Sequence, residues 1–279
     1  KKIVGLMQYD MYHIFPVDEH TLVVIRNLRR MSMDIHSHEL PLPSELMQSF
    51  PQKHILYLAA LFHDIAKGRE GEHALLGVND ARQFAQAHFL NKEETELLCW
   101  LVQSHLFMSL TAQKEDIHNA ETIERFCNEV KTQTRLIALY LLTCADIRGT
   151  NPNIWNNWKA SLLANLYQLA SNYFQQGTMP SIETLKDNVT HILIEQGHHE
   201  KKKKKLWQSL GEAYFARHQK SDILWHTQFL INQENAPQVQ LRLLEEGQTI
   251  QVMVYIADKS KLFAKACQFF TNHHLNIVD

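Results

Sequence analysis

The feature that most constrains the fold is a set of apolar stripes with helical spacing, each of which ends in a histidine or an aspartate. In the segment 52–67, Leu56, Ala59 and Ala60 lie on one helical face, and His63 continues that face. Comparable stripes predict helices at 18–32, 73–88, 92–106 and 132–147, and a further amphipathic helix without such a terminal residue is predicted at 117–130. Because each stripe must be buried against a neighbour, the sequence predicts a mainly α-helical domain whose helices converge on one polar centre.

The polar residues at the ends of these stripes form one candidate metal site. They are His20, His63, Asp64, His73, His105 and Asp146. A single histidine on an apolar helix face is usually a hydrogen-bonded core residue, but burying six such groups without a shared partner would be costly. Imidazole and carboxylate ligands together suit a divalent ion, with Mn or Mg expected first and Fe or Zn as alternatives.

The residues allow one or two ions. One ligand set is His20, His63, Asp64 and Asp146. His73 and His105 provide for a second ion, with Asp64 as the bridge. Metal ions with open positions generate hydroxide and hold phosphate oxygens, so the sequence predicts a phosphohydrolase in which Asp64, His73 and His105 also have catalytic roles.

Basic residues beside these positions are candidates for contacting phosphate. Lys67 falls one helical turn beyond His63 and could have a catalytic role by neutralising charge that develops on a phosphate group. A lysine near a helix C-terminus is also stabilised by the helix dipole alone, and that alternative stays open. Arg148 and Lys159 are further candidates for binding phosphate. Trp155 and Trp158 could stack on a base, although core packing is the preferred interpretation.

Composition excludes several classes of protein. The 28 Lys and Arg residues are balanced by 30 Asp and Glu residues, and this net charge of −2 lacks the basic excess of a DNA-binding protein. No apolar run approaches the length of a membrane span. The four cysteines show no CxxC pairing, which predicts buried thiols in a cytoplasmic protein. The five lysines at 201–205 are interpreted as a solvated helix face or turn, with anion binding as the alternative.

The C-terminal part changes its periodicity. More helices are expected up to residue 231, and alternating apolar residues at 239–243 and 250–256 then predict a hairpin, followed by a helix and the start of a strand. The proline-containing segment 36–51 is expected to be a loop. We predict three parts, at 1–175, 176–235 and 236–279. The first residue is not Met and the last residues read as a strand, so a fragment of a longer protein is expected.

Several motifs resemble those of a known family. HDIAKG, EHALLG, the later His105 and ADIRG resemble the HD-domain metal-dependent phosphohydrolases, which are all-α. More closely, VDEHTL, LFHDIAKG, ADIRGTNPNIWNNWK and VYIADKSKLFAKACQFF resemble the bifunctional PII uridylyltransferase/uridylyl-removing enzymes over nearly the whole chain.

The resemblance implies a function for each part. It implies that the HD domain removes UMP from a tyrosine of the nitrogen-signalling protein PII, and that a C-terminal ACT-like segment belongs to a glutamine sensor. No nucleotidyltransferase signature is present in the sequence, so the uridylyl-removing half of the activity is expected here. The ACT-like segment is incomplete in this chain. Glutamine is therefore expected to act as an effector of the full-length protein.

The sequence is also compatible with two other functions. The chain could be an HD phosphohydrolase that acts on free nucleotides such as an alarmone. It could instead be a regulatory helical module whose metal is structural and whose sheet docks another domain. A structural metal site is closed, whereas a catalytic site keeps an open position, so the exposure of the ligands discriminates between them.

Overall fold

The structure is a computed structural model, and it describes residues 3–7, 14–151, 154–177, 182–198, 200–233, 237–243, 250–257, 260–273 and 275. The chain divides into two compact units, which we call unit one (residues 1–179) and unit two (residues 180–278). Within the described residues, no helix combines the length and apolar character that crossing a bilayer requires.

Unit one consists of helices. They are α1 Val17–Met31, a 3₁₀ turn Asp34–Glu39, α2 Pro41–Ser49, α3 Lys53–Phe62, α4 His73–Ala87, α5 Lys92–Ser104, α6 Phe107–Lys114, α7 Ala120–Val130, α8 Gln133–Thr150 and α9 Asn157–Gln176. Side chains cap several N-termini: Asn91 forms a capping box on α5, and Thr132 and Asn156 accept backbone N–H groups of α8 and α9.

Helix α8 is the central element of unit one. Most of its residues between Leu136 and Ala145 are buried, on all sides of the helix, as expected of a helix enclosed by others. Helices α1, α2, α3, α5 and α9 pack against it. The polar end of α8, which carries Asp146, therefore lies among other helices that carry predicted ligands.

Two glycines allow close helix packing. A Cβ on Gly149 of α8 would lie 2.9 Å from Val24 Cγ2 of α1, and a Cβ on Gly77 of α4 would lie 3.1 Å from Val102 Cγ1 of α5. A larger residue at either position would have to displace its neighbour. Gly77, whose place inside a helix costs stability, is thus explained by packing.

The structure differs from the predicted elements at three places. The sequence predicts a loop at 36–51, but this segment forms the 3₁₀ turn and α2, because Pro41 and Pro43 occupy the first turn of α2, where a missing N–H costs nothing. The helix predicted at 52–67 ends at Phe62, and tight turns follow it. Helix α6 is not among the predicted elements.

Unit two has a small helical core and a hairpin. Its elements are α10 Ile182–Glu195, α11 Glu200–Leu210, α12 Glu212–Arg217, α13 Lys220–Leu230, β1 Gln238–Leu243, β2 Ile250–Tyr255 and α14 Leu262–Asn272. Its core is Val189, Leu193, Trp207, Phe215 and Ile223. In the lysine run, Lys203 is buried and donates to Thr190 Oγ1 at 2.7 Å, and the other four lysines are exposed.

The hairpin is antiparallel, with Leu241 opposite Val252. Arg242 of β1 attaches it to α13 through an ion pair with Asp222 and a cation–π contact with Trp225, 4.4 Å from the ring centroid. The prediction of a mainly α protein with a small C-terminal α+β segment is confirmed. The strand start expected at 275–278 lies, apart from its first residue, outside the described residues, and the three-part division stays a prediction.

Candidate metal centre

The predicted ligands lie at the ends of helices. His20 is in the first turn of α1, and His73 is the first residue of α4. His63 and His105 directly follow α3 and α5. Asp146 lies in the last turns of α8, and Asp64 lies in the turn after α3. The end of each helix is where its apolar stripe stops, so the helices that form the core also deliver polar groups to one place.

The first cluster, which we call the inner trio, consists of His20, His63 and Asp146. His20 Nε2 lies 3.0 Å from Asp146 Oδ1 and 3.2 Å from His63 Nε2, and His63 Nε2 lies 3.7 Å from Asp146 Oδ1. Both histidines are buried. Two imidazole nitrogens and one carboxylate oxygen are thus directed at the same small volume.

The second cluster, the outer trio, consists of Asp64, His73 and His105. Asp64 Oδ1 lies 3.7 Å from His73 Nε2 and 3.8 Å from His105 Nε2. The other oxygen, Asp64 Oδ2, lies 3.2 Å from His63 Nε2. One carboxylate therefore faces both trios.

Backbone hydrogen bonds set the orientation of two of the histidines. His63 Nδ1 donates to the carbonyl of Ala60, and His105 Nδ1 donates to the carbonyl of Val102, each at 2.8 Å. A carbonyl only accepts, so Nδ1 carries a proton in both rings. Nε2 is therefore the ring atom of each residue that faces the centre and would ligate a metal ion, in the arrangement that metal-binding histidines usually adopt.

The electrostatics of the centre follow from burial and close charges. Burial raises the pKa of Asp64, but His63 and Lys67 outweigh it and hold the pKa well below its usual value. Lys67 Nζ lies 2.7 Å from Asp64 Oδ2. Burial lowers the pKa of His63, but Asp64 and Asp146 raise it to about 9. Burial also lowers the pKa of His105 to about 4, which favours its neutral ring. Positive charge is thus favoured between the two carboxylates.

The residues fit a divalent cation. Asp64 Oδ1 and His73 Nε2 are buried atoms that make no hydrogen bond among the described residues. Buried polar atoms without a partner are costly, and two of them 3.7 Å apart on a carboxylate and an imidazole are what a bound ion would satisfy. The donor set of imidazole nitrogen and carboxylate oxygen suits Mn, Fe or Zn and, through its oxygens, Mg.

The centre is closed on one side and open on the other. The side chains of His63, Asp64 and His105 are at most 2% exposed, whereas His73 is 30% exposed and Asp146 is 14% exposed. Access from solvent is therefore past His73 and Asp146.

Other predicted residues make different contacts. Arg148 Nη2 donates to Glu39 Oε2 at 2.6 Å. Burial lowers the pKa of Lys159, whose backbone N–H donates to the Asn156 side chain at the start of α9. Trp155 packs against the core of unit one, as preferred from the sequence, but Trp158 is exposed.

Three residues near the centre are missed by sequence reasoning. Asn27, on the same face of α1 as His20, donates to the carbonyl of Ala145 at 3.0 Å. Asn27 could have been identified from the sequence, because it is a polar residue on an apolar stripe. Gly149 lies against α1, and Glu39 binds Arg148; neither has a periodicity that would mark it.

Comparison with known proteins agrees with this geometry. The HD domain family matches residues 17–141, a range that contains every predicted ligand except Asp146. Residues 180–229 match the family described as the uridylyltransferase GlnD fifth domain. Unit one thus contains an HD domain, the domain type that the sequence motifs indicate.

Similarity to one particular family extends over the whole chain. The chain is 51% identical, over its full length, to the bifunctional uridylyltransferase/uridylyl-removing enzyme of Neisseria meningitidis serogroup A. It is 44% identical to the enzyme of that name from Chromobacterium violaceum and 46% to that from Bordetella avium. The chain spans about one third of the length of these relatives, 33% in each case. The resemblance predicted from its motifs, to the bifunctional uridylyltransferase/uridylyl-removing enzymes, is confirmed.

Proposed function

We propose that this chain is a metal-dependent phosphodiesterase that removes UMP from a uridylylated tyrosine of the PII protein. The observation that carries this proposal is the convergence of two metal-capable trios on one shared carboxylate, Asp64, inside an HD domain. The uridylyl-removing activity named for relatives that are about half identical supports the choice of substrate.

The six predicted ligands would hold the metal. The inner trio would bind one divalent ion, and the outer trio would bind a second if two are present, with Mn or Mg expected and Fe or Zn as alternatives. A metal bound there would lower the pKa of a water molecule and polarise a phosphate oxygen. The rings of His63 and His105 supply ligand atoms that are already oriented by backbone hydrogen bonds.

The other residues act on the substrate side. Lys67 brings a positive charge to within 2.7 Å of Asp64, beside the place where a phosphate group would gain negative charge. The partial exposure of His73 favours a catalytic over a structural metal, because a structural site would be closed. Arg148 and Lys159 remain candidates for binding phosphate, and Arg148 would have to leave Glu39 to do so.

The partners follow from the family resemblance. Uridylylated PII is the proposed protein substrate, and glutamine is the proposed effector of the full-length enzyme. We place this reaction in the cytoplasm, where free cysteines are stable, and all four cysteines here are free. Neither DNA nor a membrane has a proposed role.

The test is release of UMP from uridylylated PII in the presence of Mn, comparing the wild-type chain with Asp64→Asn. We expect the substitution to reduce the rate by at least about 10³-fold, because one oxygen of the shared carboxylate becomes an amide nitrogen. The exposed Asp116 lies outside the centre, and Asp116→Asn is the matched control that should retain full activity.

The alternatives give different results. Hydrolysis of a free nucleotide such as an alarmone, without release of UMP from PII, would favour the free-nucleotide enzyme. Metal binding without any hydrolysis, even with the remaining domains supplied, would favour a structural metal. Full UMP release by Asp64→Asn would contradict a reaction at this centre.

A further inference from the structure

Glu39 is the meeting point of three elements of unit one. Its carboxylate, which is 16% exposed, forms ion pairs with Arg30 of α1 and with Arg148 of α8, the latter at 2.6 Å. His36 Nδ1, within the same 3₁₀ turn, lies 3.0 Å from Glu39 Oε1. Glu39 thus links the turn before α2 to the two helices that carry His20 and Asp146.

Glu39 binds α8 through Arg148, on the helical turn that also carries Asp146 of the inner trio. On that turn, Ala145 accepts the hydrogen bond of Asn27, and Gly149 lies against Val24. Arg148 lies between Asp146 and Gly149, so its bond to Glu39 holds the same turn. Contacts at 145, 148 and 149 therefore flank Asp146 on this turn, and the Asp146 carboxylate lies 3.0 Å from His20 Nε2.

The network is partly buried and strongly charged. The hydrogen bond from Arg30 lowers the pKa of Glu39, and Arg148 lowers it further, to about 2 although burial opposes them. Glu39 is therefore fully ionised at neutral pH. A carboxylate shared between two guanidinium groups is geometrically restrictive, because each Arg offers donors in a rigid plane.

We propose that Glu39 is a positioning residue for the metal centre: through Arg148 it fixes the C-terminal turn of α8, so that Asp146 and His20 stay at ligand distance. It touches neither metal nor substrate. The inference rests on the proposed metal centre and adds to it a residue that lies outside the six ligands. It also accounts for Arg148 without requiring that Arg148 bind phosphate.

The test is Mn binding by the intact chain, measured by calorimetry without any substrate. We expect Glu39→Gln to weaken binding of one ion by about 10-fold or more, as for other residues that orient metal ligands. Glu45→Gln makes the same chemical change at an exposed position on the neighbouring α2 and should leave the affinity unchanged.

Two further variants separate positioning from general stability. Arg148→Gln should reproduce the weaker Mn binding, and Arg148→Lys, which keeps a cation for Glu39, should restore part of it. The thermal midpoint of each metal-free variant is measured alongside, so that loss of folding is distinguished from loss of affinity. A purely stabilising role would change the midpoint but not the affinity of the folded fraction.

The outcomes are distinguishable from failure of the proposed function. Unchanged Mn affinity in Glu39→Gln, or in Arg148→Gln, would overturn the positioning role. Absence of Mn binding by the wild-type chain would overturn the metal centre itself. Release of UMP from PII is not needed for either result.

Discussion

At the scale of single residues, Asp64 connects the two trios of the metal centre. One of its oxygens faces the inner trio and the other faces the outer trio, at distances of 3.2 Å and 3.7 Å to the nearest histidine nitrogen of each. Lys67 is the counter-charge on the same carboxylate. Because Lys67 cannot ligate a metal while it is protonated, its proposed contribution is electrostatic and can be separated from metal binding.

Lys67→Met removes the charge but keeps most of the length and volume of the side chain. We expect kcat for UMP release to fall by about 10²-fold, the usual cost of losing one group that stabilises developing charge. Mn affinity should be retained or increased, since Asp64 loses a competing cation. Steady-state kinetics and Mn titration together check this result.

The control for this variant is Lys92→Met on α5. Lys92 is exposed, and its Nζ lies 3.9 Å from Glu96 Oε1. The Lys92→Met substitution should have no effect on either quantity. If Lys67→Met retained the wild-type kcat, Lys67 would serve only as the ion-pair partner of Asp64.

At the scale of elements, the close approach of α1 and α8 controls the inner trio. Gly149 lies against Val24, and His20 Nδ1 would be 3.5 Å from a Cβ at position 149. The separation of these two helices thus sets the distance between His20 and Asp146. Helix propensity favours alanine over glycine at position 149, whereas the close contact with Val24 favours glycine. A substitution of Gly149 therefore tests which effect is larger.

Gly149→Ala is expected to destabilise the chain by about 1–3 kcal/mol, as inserting a methyl group into a packed site does. Helix propensity alone predicts the opposite sign, a gain of about 1 kcal/mol. Urea unfolding of the metal-free chain measures the difference, and Mn titration should show weaker binding. A more stable variant with normal Mn affinity would show that α1 and α8 adjust without cost.

At the scale of the whole molecule, unit two contains a second group of titratable side chains. His226 of α13 is buried, and its Nδ1 lies 2.7 Å from the Tyr214 hydroxyl of α12. The rings of His218 and His226 are 5.3 Å apart. Burial lowers the pKa of His226, and His218 contributes to the shift, which brings it to about 4. This cluster is part of the segment that matches the fifth-domain family.

The stability of the chain should therefore depend on pH below neutrality. Between the ordinary pKa of histidine, about 6.5, and the folded value, the unfolded chain binds a proton at His226 that the folded chain does not. The unfolding free energy thus falls as the pH is lowered through this window, and the contribution of this residue levels off below about pH 4. Between pH 7.5 and pH 5 this residue should account for a loss of up to about 2 kcal/mol.

Urea unfolding of the wild-type chain and of His226→Gln, each at pH 7.5 and pH 5, checks this prediction. The variant should lose less stability on acidification than the wild type does. The matched control is His191→Gln on α10, where the side chain is exposed and the pH dependence should not change. Equal pH dependence in all three chains would mean that His226 is protonated as easily in the folded as in the unfolded state.

The amino-acid sequence alone is sufficient to predict the helical class and to single out six candidate ligands. Apolar stripes of helical period have to be buried, and histidine or aspartate at the end of such a stripe is brought to the buried centre. The same reasoning explains why Asn27 could have been found. It fails at 36–51, because prolines that suggest a loop are also compatible with the first turn of a helix.

How closely these residues meet, and what supports them, depends on tertiary packing. The sequence suggests Asp64 as a bridge, but no local pattern could give the 3.2 Å and 3.7 Å distances from its two oxygens to the histidines of the two trios. Nor could a local pattern join Glu39 to Arg148 across 109 positions of sequence or show that α1 lies against Gly149. These relations depend on the distances between helices that are far apart in the chain. Local sequence sets the face that a helix buries, whereas packing sets which helix it meets and how closely.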